Sequence, residues 1–151
     1  MKFDKNQIFI YNNYIRKAIR MTFLSLFIYL KEGNFMNNKP TLIIMCGVPG
    51  AGKDYHIMNH RFFENLRANV VSRDAIRFAK LQPEEQYFAH EDEVFDEFIY
   101  NIQDAIDNEE YCIIADATHM TQKARLMVLS RLVLPTKDYV EYRINAVVIE
   151  T

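Results

Sequence analysis

The sequence predicts an α/β fold in which a parallel sheet is covered by helices on both faces, in three layers. Short, almost continuously apolar runs, at residues 41–46, 69–72, 111–115 and 140–150, alternate with stretches of helical periodicity. Runs without polar alternation belong to strands buried on both faces, and strands separated by helices pair in parallel. The first run also ends in a glycine-spaced turn that opens into a helical pattern. Such a turn sits at the carboxyl end of a strand, where an open α/β sheet keeps its chemistry.

Size and composition agree with one globular domain. The chain has 151 residues, half of them hydrophobic and a quarter charged, which suffices for a core and excludes a disordered tail. Cys46 and Cys112 lie in runs that read as neighbouring buried strands, with no CxxC or histidine spacing, so free thiols in a reducing compartment are expected.

Residues 1–35 differ in charge: Lys2, Lys5, Arg16, Lys17, Arg20 and Lys31 face only Asp4 and Glu32, a local +4 that leaves −6 for the remainder of the −2 total. The apolar run Met21 to Leu30 is too short to span a bilayer and no small-residue cleavage site follows, so no membrane partner is expected. Lys31-Glu32-Gly33 can be encoded by a purine-rich ribosome-binding sequence just ahead of Met36. The segment 1–35 therefore reads as an N-terminal extension, either a short helix or untranslated leader, and 36–151 as the core.

Taking the core in order, Thr41 to Cys46 leads into Gly47-Val48-Pro49-Gly50-Ala51-Gly52-Lys53-Asp54. Gly47 through Lys53 satisfies G-x-x-x-x-G-K, the Walker A pattern of a phosphate-binding loop (P-loop). Glycines let backbone N–H groups curl around phosphate oxygens, the helix behind adds its positive dipole end, and Lys53 supplies an ammonium. Asp54 stands where a hydroxyl usually serves Mg²⁺, and its carboxylate can bind the ion directly or through water. Met58, Phe62, Phe63 and Leu66 then recur on one helical face expected to pack on the sheet.

The second strand is followed by Arg73-Asp74-Ala75-Ile76-Arg77. A carboxylate between two arginines can accept a proton from an alcohol, or it can be a helix cap with solvated arginines. Residues 79–90 read as a connection. Glu91 to Asn108 carry Val94, Phe95, Phe98, Ile99, Ile102 and Ile106 as a helical stripe, with carboxylates on a face expected to be solvated. Tyr87, Phe88, Phe95 and Tyr100 suggest a base-stacking platform, but core is the better expectation for the group. The third strand ends at Asp116, a position that holds Mg²⁺ in nucleoside-triphosphatases and also one that suits any turn. His119 lies just beyond, placed to touch substrate or to sit in a solvent-exposed turn. Thr121 is expected to cap a helix running to about Leu134, before Pro135 and the last strand.

Gly47 to Lys53, Ser72 to Arg77, Ile114 to His119 and Lys123-Ala124-Arg125 together resemble the kinase domain of bacteriophage polynucleotide 5′-hydroxyl kinases and their AAA-type P-loop kinase relatives. The resemblance covers roughly residues 41–150 and implies a three-layer P-loop NTPase/kinase fold. It implies an ATP-dependent enzyme moving the γ-phosphoryl group to a hydroxyl, most readily the 5′-hydroxyl of a polynucleotide. Lys53 and the loop from Gly47 to Asp54 would bind ATP, and Asp54 and Asp116 would serve Mg²⁺. Asp74 would activate the acceptor, with Arg73 and Arg77 binding it. A nucleotide, nucleoside or small-metabolite kinase is the alternative, and a non-catalytic ATP-binding remnant is a third. The family continues into an arginine-bearing lid beyond the fourth strand, which implies a core incomplete at its C-terminal side. The implied setting is the cytoplasm of a bacterial or phage-infected cell. Neither the acceptor nor the oligomeric state is legible.

Overall fold

The computed structural model describes residues 20–22, 40–59, 68–135 and 143–148. Their elements run β1 (Arg20–Thr22), β2 (Thr41–Cys46), α1 (Lys53–Asn59), β3 (Asn69–Ser72), α2 (Arg73–Lys80), α3 (Glu91–Asp107), β4 (Cys112–Asp116), α4 (Gln122–Arg131) and β5 (Arg143–Val148). All strands pair in parallel, in the order β1-β5-β2-β4-β3. The predicted α/β class and parallel sheet are what the chain adopts. From the N-terminal extension the described residues contribute β1, a short edge strand.

Both faces of the central strands are buried. Leu42, Ile44 and Cys46 of β2, Ile113 and Ala115 of β4, and Val71 of β3 point one way and pack against Val94, Phe98, Ile99, Ile102 and Ile106 of α3 and Val128 and Leu129 of α4. Register makes this a continuous surface, because Ile44, Ala115 and Val71 are partners across three strands. Ile43, Met45, Cys112 and Ile114 face the other way and are equally inaccessible. Strands sealed on both sides need apolar residues at every position, which is why they read as unbroken apolar runs.

The α3 stripe is as predicted except that Phe95 is only partly buried, at the margin of the core. Three expectations need correction. Met58 is exposed on α1, while Phe62, Phe63 and Leu66 lie outside the described residues. The helix capped by Thr121, whose Oγ1 accepts from the Ala124 N–H at 3.1 Å, ends at Arg131, short of Leu134. The acidic face of α3 is not merely solvated, since Glu91, Asp96 and Glu97 all pair with basic groups of α2 or α4. Both cysteines are buried and free, and burial raises the Cys112 thiol to about 12. Among the described residues no helix is long and apolar enough to cross a membrane.

Phe98→Ala, which empties a fully buried position at the centre of α3, should cost about 3–5 kcal/mol. Tyr100→Ala, two residues along and two-thirds exposed, should stay within about 0.5 kcal/mol. Urea unfolding of the two variants checks the contrast, and equal midpoints would contradict the packing of α3.

Candidate active site

The carboxyl ends of β2, β4 and β3 lie side by side. Met45, Asp116 and Ser72 are partners in one row across these strands. The chain leaves β2 toward β3 on one side and leaves β4 toward β5 on the other. Adjacent strands whose connections depart in opposite directions open a crevice at their carboxyl ends. The loop after β2 and the loop after β4 meet there, and the Gly47 N–H donates to the Thr118 carbonyl at 3.0 Å.

The glycines of the first loop have different reasons. Gly50 and Gly52 have φ of +80° and +83°, with open space where a side chain would stand, so backbone conformation selects them. Gly47 is selected by contact: a Cβ there would come within 3.3 Å of the Ala51 and Lys53 side chains. Lys53 opens α1 and is nearly buried, its Nζ donating to the Gly47 carbonyl at 3.5 Å. That distance is at the limit of a hydrogen bond, so the ammonium rests on its own loop without a strong partner to lose. Val48, Pro49 and Gly50 are exposed at the loop tip, and Asp54 is exposed in the first turn of α1.

Asp116 is 5% exposed. Ser72 Oγ donates to its Oδ2 at 3.3 Å, while Oδ1 is buried with no hydrogen-bond partner. Burial raises the Asp116 pKa, the Lys53 charge opposes this, and the charges of Asp54 and Asp74 add to it. A buried carboxylate oxygen without a donor is costly unless a cation or water satisfies it. Two carboxylates that feel one another suit Mg²⁺, which commonly takes one or two protein carboxylates and completes its shell with water and substrate phosphates. Among the described residues no three His, Cys, Asp or Glu side chains converge as an all-protein metal cage.

Asp74 lies in the first turn of α2, which Ser72 caps by accepting the Ala75 N–H. Its Oδ1 accepts from Arg77 Nη1 and from the Tyr87 hydroxyl, the latter at 2.9 Å. Arg77 is not solvated. It is 6% exposed, donates from Nε and Nη2 to both oxygens of Glu91 at 2.9–3.2 Å, and reaches the Tyr87 hydroxyl at 2.9 Å. Burial opposes its charge, but Glu91 and Tyr87 outweigh that and its pKa is raised. Burial and the bond to Asp74 raise the Tyr87 pKa, which keeps the phenol protonated as a donor. Arg73 pairs with Glu91, and Lys80 with Glu97 at 2.7 Å. Both arginines expected to bind an acceptor, and Lys80 beside them, are thus held by carboxylates.

His119 is not the exposed turn residue that was one expectation. It is 3% exposed with φ of +39°, its Nδ1 lies 3.0 Å from the Met45 carbonyl, and its ring sits 5.8 Å from that of Phe98. Since a carbonyl only accepts, Nδ1 carries the proton and donates. Desolvation lowers the His119 pKa to about 4. Arg125 closes the same loop by donating to the His119 carbonyl at 2.7 Å.

A family model described as an AAA domain matches residues 42–151. The chain belongs to that family. It is accordingly a P-loop domain of the kinase and NTPase type, and the matched region contains every residue of the site described above. No curated protein matches the sequence. Among solved structures, a chain from "Structure of Pnkp1/Rnl/Hen1 complex" is similar with a TM-score of 0.56 and 20% identity, over 76% of this chain and 37% of that one. Identity at that level speaks for the fold, and the present chain spans well under half of that larger protein.

Ser72 and Glu91 were not singled out as site residues by the sequence, and Tyr87 was named only among aromatics better expected in the core. Ser72 carried a local signal, a hydroxyl residue directly ahead of a helix. A cavity of about 330 Å³ lies away from the glycine loop, at the β3 edge, between Asn69, Ser72, Ile76 and Asn101 among others.

The buried neutral imidazole gives a pH signature. Unfolded His119 titrates near 6.5 and folded His119 near 4, so between these values the unfolded chain binds more protons and stability falls as pH falls. The loss should approach about 3 kcal/mol. His119→Gln should lack this slope in urea midpoints measured from pH 7 to pH 4.5. Parallel curves for the two proteins would show that His119 does not carry it.

Proposed function

We propose that this domain is an ATP-dependent phosphotransferase that moves the γ-phosphoryl group to a hydroxyl, and that its acceptor is the 5′-hydroxyl of a polynucleotide. The observation that supports this most directly is the convergence of three strand ends, carrying the Lys53 loop, the buried Asp116 and the anchored Asp74. The first two belong to nucleotide binding. The third has no task in holding ATP and is a carboxylate presented to a second substrate.

In this mechanism the loop amides and the Lys53 ammonium bind the β- and γ-phosphates. Asp116 and Asp54 would hold Mg²⁺, which neutralises charge on the phosphate oxygens. Arg77 and Tyr87 both donate to Oδ1 of Asp74, and among the described residues no donor is bonded to Oδ2. Oδ2 takes the proton of the acceptor hydroxyl, the alcohol oxygen forms its bond to the γ-phosphorus, and the bond to the β–γ bridging oxygen breaks to release ADP. Glu91 holds Arg77, and Arg77 with Tyr87 fixes the carboxylate plane, so the base meets its substrate in a set orientation.

The charge pairing around Asp74 also bears on the acceptor. With Arg73, Arg77 and Lys80 engaged, the described residues around Asp74 offer no long basic groove, which favours a strand terminus or a small molecule. Inhibition of ATP turnover by a 5′-hydroxyl oligonucleotide but not by mononucleotides would decide for the polynucleotide. Equilibrium ATP binding without turnover on any acceptor would reduce the domain to a nucleotide-binding module.

Lys53→Ala should lower turnover by about 10²–10³. Asp74→Asn should lower acceptor phosphorylation by about 10²–10⁴ while ATP affinity stays within a few-fold. Direct ATP titration beside the transfer assay separates them, and wild-type transfer by Asp74→Asn would remove it as the base. Asp54→Asn should shift the Mg²⁺ requirement upward more than it weakens ATP binding, whereas Asp54→Ser should be tolerated. Identical Mg²⁺ titrations of wild type and Asp54→Asn would take Asp54 out of the metal site.

A further inference from the structure

The surface beside Asp74 is aromatic. Phe78 on α2 and Tyr87 and Phe88 in the connection to α3 form one cluster. The ring centroids of Phe78 and Tyr87 are 5.8 Å apart at 66°, and those of Tyr87 and Phe88 are 4.8 Å apart at 83°. Rings packed edge to face cannot cover one another as stacked rings do, and Phe78 and Phe88 remain 64% and 67% exposed. The mount beneath them is firm. The Arg77 guanidinium lies 4.6 Å from the Tyr87 ring centroid and 5.4 Å from that of Phe88, and it is itself held by the fork to Glu91 and by Asp74. Glu85 ties the connection by accepting the Gln82 N–H at 2.8 Å and pairing with His90 at 2.9 Å. Large apolar rings left in water as one cluster mark a surface that binds.

We propose that Phe78, Tyr87 and Phe88 are a nucleobase-stacking platform that holds the first bases of a single-stranded polynucleotide while its 5′-hydroxyl meets Asp74. This rests on the acceptor assigned above and deepens it by naming the single strand and the source of its affinity. The occupant follows from two features. The Tyr87 hydroxyl donates to Asp74 at 2.9 Å, so the platform and the acceptor carboxylate share a hydrogen bond, and a base on the rings keeps its own sugar close to Asp74. The cations nearby are neutralised by Glu91, Asp74 and Glu97, so a strand finds aromatic faces here in preference to unpaired positive charge. Sequence-tolerant recognition by stacking is the mode open to such a surface. The earlier expectation of core for these aromatics holds for Phe95 alone, since Tyr87, Phe88 and Tyr100 are all exposed.

The test is equilibrium binding, by fluorescence anisotropy, of a 3′-labelled 5′-hydroxyl tetranucleotide and of the same strand with its first two nucleotides abasic. The proteins are the full chain, Phe88→Ala and Phe88→Trp. Removing the bases should weaken binding by about tenfold. Phe88→Ala should weaken the normal strand by a similar factor, leave the abasic strand unchanged, and be rescued by Phe88→Trp. With few phosphates neutralised, log K should fall with log salt at a slope no steeper than about −1. Equal weakening of both strands by Phe88→Ala, no weakening, absence of binding, or a salt slope beyond about −2 would each overturn the platform. Self-association of the chain that Phe88→Ala abolishes would assign the surface to a second copy and also overturn it. A transfer assay on the same strands separates the two proposals. Phe88-dependent binding without phosphoryl transfer leaves the platform standing and removes the phosphotransferase. Transfer indifferent to Phe88 and to the bases does the reverse.

Discussion

Met45, Asp116 and Ser72 are aligned across β2, β4 and β3, and the site depends on that row of pairings. It brings a carboxylate on β4 to the hydroxyl that caps α2 and seats the loop after β4 against the start of the glycine loop. A slip of one residue in β4 would turn Asp116 into the α3 core and Ala115 out of it, exchanging a charge for a methyl group on each side. Cost of that size is what specifies the register, so the packing of α3 on the sheet and the position of the candidate site residues are one constraint.

A second layer of order lies around Arg77. Burying a guanidinium is unfavourable unless its donors are satisfied, and here Glu91 takes the fork, Asp74 and Tyr87 take the remaining nitrogen, and aromatic rings cover its plane. The group therefore behaves as a structural rivet between α2, the connection and α3. Asp74 gains a fixed orientation from it and keeps an accessible carboxylate, with its side chain 58% exposed. In this arrangement a direct contact from Arg77 to an anion would compete with Glu91.

What could be read in the sequence follows from how strongly each requirement constrains residue type. Two-sided burial writes unbroken apolar runs, so β2 and β4 were legible, and left-handed backbone writes glycine, so Gly50 and Gly52 were too. The α3 stripe was clear because one face of a long helix carries many residues. By contrast, the bond from Ser72 to Asp116 joins positions 44 residues apart and leaves no local trace. Glu91 looked like one more acid on a charged face, and only the fold shows that it faces two arginines. Polar type misled for Arg77 and His119, which are buried, as apolar type did for Met58 and Phe88, which are not. In each case the deciding fact was the neighbouring element, which no local pattern records.

The strand order also sets a timetable for folding. β2, which leads into the glycine loop, pairs with β4 and β5 and with no strand that lies between them in the chain. Its first partner is complete only at Asp116 and its second at Val148. During synthesis an apolar segment with both edges unpaired must wait for the chain to grow from Cys46 to Asp116 before its first partner is complete. Contacts of such long separation slow folding and leave strand edges open to wrong partners. The nucleotide loop is thus among the earliest parts of the core to be made and among the last to be shaped.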